Sequence, residues 1–433
     1  MRITLVRPNL GDYRSSDAMP PLAMGILAAR APHCKVTLYD EKVEPVPSGD
    51  RPDLAALSVE TFTARRGYAI ADAYRRRGVP VVMGGYHPTF LPDEALEHAD
   101  AVVIGDAEGA WERLIADFEA GRMQPRYSGG NDAPLDDYRI DRSIYRGKNY
   151  GPVELVQFGR GCRFACDFCS IHSFYGTSLR VRPLDGLIAE IESLPPGRLL
   201  FFVDDNLFGR KSDFLALLDA LTPMKRRWSC QISIDVARDE TMLDRMAKAG
   251  CSFALIGFES LNEASLEQMH KGWNSASGSY GRVVRALHQR NIGVYGMFIF
   301  GYDADTKESI ERTLEFALES RLELANFNPL TPTPGSALYE RLLGEGRLLS
   351  PKWWLDPEYR YGDAIFEPRG MRAQELTDGV FEARRRFYSW GSIGSRVMQS
   401  GTAFSPFRAG VTTIANMISR REIYKKQHRQ LGL

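Results

Sequence analysis

The 433-residue chain has no apolar stretch near the ~20 residues a membrane-spanning helix needs, and it opens on MRITLVRPN, a strand pattern rather than a signal segment. These absences predict a cytoplasmic protein with no transmembrane segment. No charge of one sign dominates: 55 basic residues stand against 55 acidic ones, so no global field draws the chain to nucleic acid or to an anionic membrane. Cysteine is scarce. Of six, none follows Cys251, and Cys34, Cys230 and Cys251 are scattered through apolar or strand-like contexts, the pattern of a reducing compartment. G-x-G-x-x-G, the phosphate loop, H-E-x-x-H and hydrolase nucleophile motifs are all missing. There is no low-complexity tract and no repeat beyond strand-helix units.

What is present is concentrated. Cys162, Cys166 and Cys169 fall within eight residues of GRGCRFACDFC, spaced C-x3-C-x2-C. Three thiolates so placed hold three irons of a cubane cluster and leave the fourth iron open to a non-protein ligand. A structural zinc site needs a fourth Cys or His nearby, and His172 is the near one. A zinc knuckle and a redox disulfide are the other readings of this triplet.

Around it, the first ~125 residues alternate strand patterns (RITLVRP, KVTLYD, LAALSV, VPVVMGG, ADAVVIG) with helical ones, which predicts a doubly wound parallel sheet with ligands at its carboxyl ends. A Gly-, Asn- and Tyr-rich linker is expected over residues 129–152 after a first domain of 1–128. Six further strand patterns (ELVQFG, LLFFVDD, SCQISID, FALIGFE, VYGMFIFG, LANFNPL) suit a partial (β/α)6 barrel over 153–345, with functional residues at the carboxyl ends. Residues 346–433 read as mainly helical. There Phe404, Phe407, Val411, Ile414 and Ile418 form one apolar face, expected to pack on the barrel, a lipid-contacting helix being the alternative, and Arg420, Arg421, Lys425, Lys426 and Arg429 read as a solvated face rather than a membrane patch. The aromatics Trp353, Trp354, Tyr359, Tyr361, Phe387, Tyr388 and Trp390 fit core or a cover over the barrel mouth.

The C-x3-C-x2-C pattern, Phe168 before the last Cys, and Arg160-Gly161 before the first together resemble the radical S-adenosylmethionine (radical SAM) superfamily. That resemblance implies a [4Fe-4S] cluster, with S-adenosylmethionine chelating the open iron and cleaved to a 5'-deoxyadenosyl radical. It places SAM contacts at Phe168, at Asp204 and Asp205 in FVDDNLFG, at Glu259 in GFES, and at Gly296 and Gly301, which would let adenine approach the backbone. Ser233 and Asp235 in SIDV, on one strand face by alternation, are expected to reach the ribose. Asp204 and Asp205 serve equally well as caps for the next helix.

PPLAMGILAA, Ser58, Gly84-Gly85 in VVMGGYHPTFLP, and GDAE from Gly105 resemble the cobalamin-binding domain of cobalamin-dependent radical SAM enzymes, a likeness covering about 350 residues. It implies a Rossmann-like domain with Ser58, Gly84, Gly85 and His87 near the corrin. D-x-H-x-x-G is absent, so no axial histidine is expected, and His87 reads more simply as a surface or backbone-bonding loop residue. The family then implies a methyltransferase acting on an unactivated carbon of a small molecule, with flavodoxin or ferredoxin as electron donor. A radical SAM cyclase, ring-contracting or oxidative enzyme is the alternative, and a non-catalytic cobalamin sensor a third reading.

Overall fold

A computed structural model describes residues 1–277, 279–398 and 405–431. The first unit is a six-stranded parallel sheet of β1 (Arg2–Arg7), β2 (Lys35–Asp40), β3 (Leu54–Ser58), β4 (Val81–Gly84), β5 (Ala101–Gly105) and β6 (Arg126–Gly130), ordered β2-β1-β3-β4-β5-β6. Its strands carry near-continuous apolar runs because helices cover both faces. Leu5, Leu54, Val82 and Val103 pack against Trp111 and Leu114 on one side, and Val6, Val81 and Met83 face Tyr68 and Tyr74 on the other. β6 crosses the expected boundary at residue 128. Its RYSGG has too little apolar alternation to read as a strand, and it forms by pairing with the edge of β5.

The second sheet is also parallel and runs in sequence order: β7 (Val153–Val156), β10 (Leu199–Phe202), β11 (Trp228–Ile232), β12 (Cys251–Glu259), β13 (Gly293–Phe300) and β14 (Leu324–Pro329). The short antiparallel pair β8 (Gly159–Arg160) and β9 (Arg180–Val181) closes off the cysteine segment between them. Burial alternates along β10, β13 and β14. Phe202, Phe298, Phe300 and Phe327 are fully buried beneath helices, while Phe201, Tyr295, Met297, Ile299, Asn326 and Asn328 are less covered and share the other, lumen-facing side.

β7 and β14 do not pair, so the barrel has two backbone edges. Side chains satisfy them. Along β14 the outward carbonyls of Glu323, Ala325 and Phe327 accept from Arg396 and Asn416 (2.8 and 2.9 Å), Tyr388 (2.9 Å) and Arg384 (2.8 Å). On β7, the Leu155 carbonyl accepts from Arg142 in the connecting segment at 2.6 Å.

These contacts recast the C-terminal region. The helix Pro406–Gln427 buries Arg408, Thr412, Asn416, Glu422 and Gln427, and it exposes Ile414 and Met417. Of the expected apolar face, Phe407, Val411 and Ile418 are half-buried, with the Arg227 guanidinium 4.1 Å from the Phe407 ring, and Ile414 faces out. The helix lies against a sheet edge and an N-terminal loop, both of which present polar backbone: Glu422 accepts from the Ser16 amide at 2.6 Å. Phe404 of that predicted face lies outside the described residues. Trp353, Trp354, Phe387 and Tyr388 are buried core, whereas Trp390 is exposed. Among the described residues no helix is long and apolar enough to cross a membrane.

Candidate active site and cofactor cavity

Cys162, Cys166 and Cys169 lie at the carboxyl end of the barrel, in the loop between β8 and the helix Ser170–Tyr175, whose N-cap is Cys169. Each neighbouring strand end contributes an anchor to that loop. After β10, Asp204 accepts from the Phe158 and Gly159 amides (3.0 and 2.5 Å) and Asp205 from the Gly161 amide (2.8 Å). Asn206 donates to Ser233 Oγ at 3.1 Å and lies 3.9 Å from Cys162 Sγ. After β11, Asp235 pairs with Arg163. After β13, the Tyr302 hydroxyl donates to Asp167 at 2.5 Å. Phe164 stacks on Trp273 at 3.8 Å. Gly161 (φ +92°) must be glycine, because a Cβ there would lie 1.9 Å from the Ser178 carbonyl oxygen.

The site's electrostatics follow from burial. Burial pushes the Asp204 carboxyl up to about 7, against the two amides that draw it down, and it raises Asp205 as well. It also pushes the Cys166 thiol up to about 12, so three adjacent thiolates require compensating positive charge. Lys271 supplies positive charge that draws the Cys162 and Cys166 thiols down. Burial works against its charge, but Glu259 and the cysteines outweigh that and raise it. Its Nζ lies 2.6 Å from Glu259 Oε1 and 3.1 Å from the Gly257 carbonyl. Glu259 adopts φ +62° at a register shift between β12 and β13, a strained geometry for a residue with a Cβ.

The donor set fits a cluster better than a single ion. Tetrahedral ligands on one zinc lie roughly 3.8 Å apart, given Zn–S near 2.3 Å. Among the described residues, the group of three donors with all ligand atoms within 4.8 Å of one another is His33, Cys34 and Glu119, not the loop cysteines.

Between the two sheets, at the carboxyl ends of β3, β4 and β5, lies a cavity of about 300 Å³. Leu22, Ile26, Leu57, Val82, Val103 and Trp111 make one wall apolar; Gln157, Arg160, Phe174 and Tyr175 of the barrel unit form the opposite wall. Ser58, Gly84 and Gly85 line it as expected. Gly84 leaves its backbone open to the cavity, whereas Gly85 (φ +104°) is required by the chain itself, since a Cβ would meet the Val59 carbonyl oxygen at 2.7 Å.

Across this cavity runs a buried ionic cluster. Arg160 reaches Asp106 at 3.2 Å and Glu108 at 2.6 Å, Arg180 reaches Asp106 at 2.8 Å, and the Tyr175 hydroxyl donates to Asp106 at 3.0 Å. GDAE of the first unit is thereby fastened to the strand pair that opens the cysteine loop. A flat, amide-fringed corrin fits such a site: apolar on one side, with paired donors and acceptors on the other.

Residues 156–317 match the Radical SAM superfamily and residues 26–115 match the B12 binding domain. The chain is 30% identical over 392 residues to bacteriochlorophyllide d C-12(1)-methyltransferase of Chlorobaculum tepidum, covering 88% of this chain and 85% of that one. The chain belongs to the cobalamin-dependent radical SAM enzyme family. The same organism's bacteriochlorophyllide d C-8(2)-methyltransferase is also 30% identical, with 94% of each chain covered. An anaerobic magnesium-protoporphyrin IX monomethyl ester cyclase of Cereibacter sphaeroides is 27% identical over 90% of this chain and 70% of its own. Radical SAM methyltransferase TsrM of Kitasatospora setae, with cobalamin and a [4Fe-4S] cluster bound, shares the fold at a TM-score of 0.68 and 17% identity over 99% of each chain.

As a cobalamin-dependent radical SAM enzyme, the protein uses a [4Fe-4S] cluster, S-adenosylmethionine and cobalamin. Several expected contacts stand elsewhere than the sequence suggested. His87 does not face the cavity: it is fully buried, its Nε2 2.8 Å from the Tyr68 hydroxyl and 3.3 Å from Glu94, whose Oε1 also accepts from Trp354 at 2.8 Å. Gly296 and Gly301 are closed on the side a Cβ would take. A Cβ at Gly296 would strike Leu322 and Phe298, and one at Gly301 would strike Phe366 and Leu376, so protein packing already fills both positions. Ser233 and Asp235 do not share a strand face, because β11 stops at Ile232 and Ile234–Arg238 is a 3-10 helix that starts just after Ser233. Asp204 and Asp205 cap no helix; they hold loop amides. Phe168 is half-buried against the main core. Asn206, Lys271, Arg160 and Asp106 were not picked out as site residues from the sequence. Asn206, Asp106 and Arg160 sit inside the motifs VDDN, GDAE and GRGC, which is the available signal; a lone loop lysine gives none.

Proposed function

We propose that this enzyme is a C-methyltransferase acting on an unactivated carbon of a small ring-bearing or lipid-precursor molecule. Cobalamin supplies methyl transfer, and the cluster with S-adenosylmethionine supplies the 5'-deoxyadenosyl radical. Cys162, Cys166 and Cys169 are the cluster ligands in this reading, with Asn206 donating toward Cys162 and Lys271 offsetting thiolate charge. The Glu259–Lys271 pair and Asp205 bind the polar end of S-adenosylmethionine. Ser58, Gly84 and Arg160 seat the corrin, and Tyr295, Asn326 and Asn328 on the lumen face orient the substrate. Flavodoxin or ferredoxin is the one-electron donor, and the cytoplasm is the compartment.

The observation that carries this reading is the shared wall. Arg160 lines the cavity and stands two residues before Cys162, so the corrin site and the cysteine loop are adjacent. Bacteriochlorophyllide d, named for the two relatives at 30% identity, is the first substrate to assay. Reconstituted anaerobically with a reductant, the enzyme should form S-adenosylhomocysteine, 5'-deoxyadenosine and a product 14 mass units heavier, roughly one methylene. Formation of 5'-deoxyadenosine without S-adenosylhomocysteine, across substrates that turn over, overturns the methyltransferase reading in favour of a cyclase or oxidative enzyme. A Cys162→Ala variant should lose 5'-deoxyadenosine and the methylated product.

A further inference from the structure

The helix Pro406–Gln427 is inside out. On its outward side Ile414, Met417 and Tyr424 are 60%, 50% and 51% exposed, and Trp390 of the preceding helix beside them is 49% exposed. These side chains share one stripe by helical spacing. With Leu431 they line a shallow groove edged by Arg420 and Arg421. Contiguous exposed apolar surface of this kind marks a docking face.

Charge decides what docks there. Along the helix Arg408 is buried and Lys425 and Lys426 turn to Glu422 and the N-terminal loop, so the cations at the groove are Arg420 and Arg421. The one acidic residue of the helix, Glu422, is buried and turned toward Ser16, so the outward face carries positive charge alone. A second copy of the same face would bring like charges together. An anionic lipid surface meets both demands, with acyl chains for the apolar stripe and phosphates for the arginines. The helix lies on the surface and does not enter it, since no described helix is long and apolar enough to span. Trp390 and Tyr424 have the amphipathic rings favoured at the lipid–water boundary.

We propose that the face formed by Trp390, Ile414, Met417, Arg421 and Tyr424 docks this enzyme peripherally on an anionic membrane surface. The full-length chain should co-sediment with vesicles of phosphatidylcholine containing 30% phosphatidylglycerol, should bind pure phosphatidylcholine at least tenfold more weakly, and should release in high salt. The double variant I414Q/M417Q and the separate variant R421E, all at exposed positions, should each reduce binding tenfold or more with unchanged circular dichroism and thermal midpoint. Failure to bind the anionic vesicles, or equal binding by both variants, overturns the proposal. So does a chain of doubled mass in light scattering that I414Q/M417Q returns to one copy, which would assign the face to self-association.

Discussion

Replacing Arg160 with Met tests the link between the corrin cavity and the cysteine loop. Asp106 would keep Arg180 at 2.8 Å and the Tyr175 hydroxyl at 3.0 Å, but Glu108 would lose the 2.6 Å partner that is its only ion pair among the described residues. Removing one member of a buried pair costs about 3 kcal/mol, from the low end of the measured range. At 1.4 kcal/mol per decade that is a hundredfold or more in local opening. Hydrogen exchange of the amides at Phe158–Gly161 and Asp106–Glu108 reads that opening directly and does not require the whole chain to unfold in one step. The pH dependence supplies a second check. Burial pushes the Glu108 carboxyl up, and Arg160 outweighs burial, leaving it below the ordinary carboxylate value. Its stabilising share is therefore present above the unfolded pKa of about 4.3 and is lost as pH falls through the lower folded value. In the variant the Arg160 charge no longer opposes burial, and the Glu108 backbone amide and Arg30 oppose it only in part, so Glu108 takes up a proton at higher pH than in the wild type. The gap in protection should be widest near neutral pH and close as pH falls toward the carboxylate range. Cobalamin, followed by visible absorption, should bind the variant at least tenfold more weakly. Exchange within threefold of wild type, or a gap that ignores pH, refutes the ionic fastening.

Asp204→Asn keeps an acceptor for one of the two loop amides, turns its NH2 to the other, and removes the charge. Because the buried wild-type carboxyl titrates near 7, above its unfolded value of about 3.9, the wild type should lose thermal stability as pH rises from 4 through 7, while the variant lacks that slope. Lys271→Met leaves Glu259 buried without its 2.6 Å partner, so S-adenosylmethionine binding by equilibrium dialysis should fall at least tenfold, and Lys271→Arg should restore most of it; equal binding by all three forms removes the pair from the cofactor site. Gly161→Ala forces a Cβ to within 1.9 Å of the Ser178 oxygen at φ +92°, so iron content after reconstitution should drop severalfold with far-UV circular dichroism unchanged.

Most of the secondary structure could be read from the sequence because both sheets are parallel and covered by helices. Runs such as LLFF and FALIGF are apolar throughout, and each is set off by an amphipathic helix. The triplet of cysteines was legible because its spacing is rare. What failed were inferences that extended a period past its element. Alternation along SIDV put Ser233 and Asp235 on one face, yet β11 ends at Ile232, where Ser233 begins to exchange hydrogen bonds with Asn206. Gly296 of β13 and Gly301 just after it permit close approach to the backbone, but what occupies the Cβ side of Gly296 is Leu322, 26 residues on in sequence. Burial of a glycine is decided by tertiary neighbours that a local window does not contain.

The inverted C-terminal helix has the same origin and ties the fold to its surface. An amphipathic helix normally buries its apolar stripe because it packs on another element's apolar side. A six-stranded barrel that does not close presents a backbone edge instead, and the carbonyls of Glu323, Ala325 and Phe327 need donors rather than hydrocarbon. Arg384, Tyr388, Arg396 and Asn416 supply them. Covering that edge therefore selects for polar residues on the inward side and leaves Ile414, Met417 and Tyr424 facing out. The open barrel and the exposed apolar stripe are then two consequences of one topology, and closure of the barrel by an added strand would remove the reason for both.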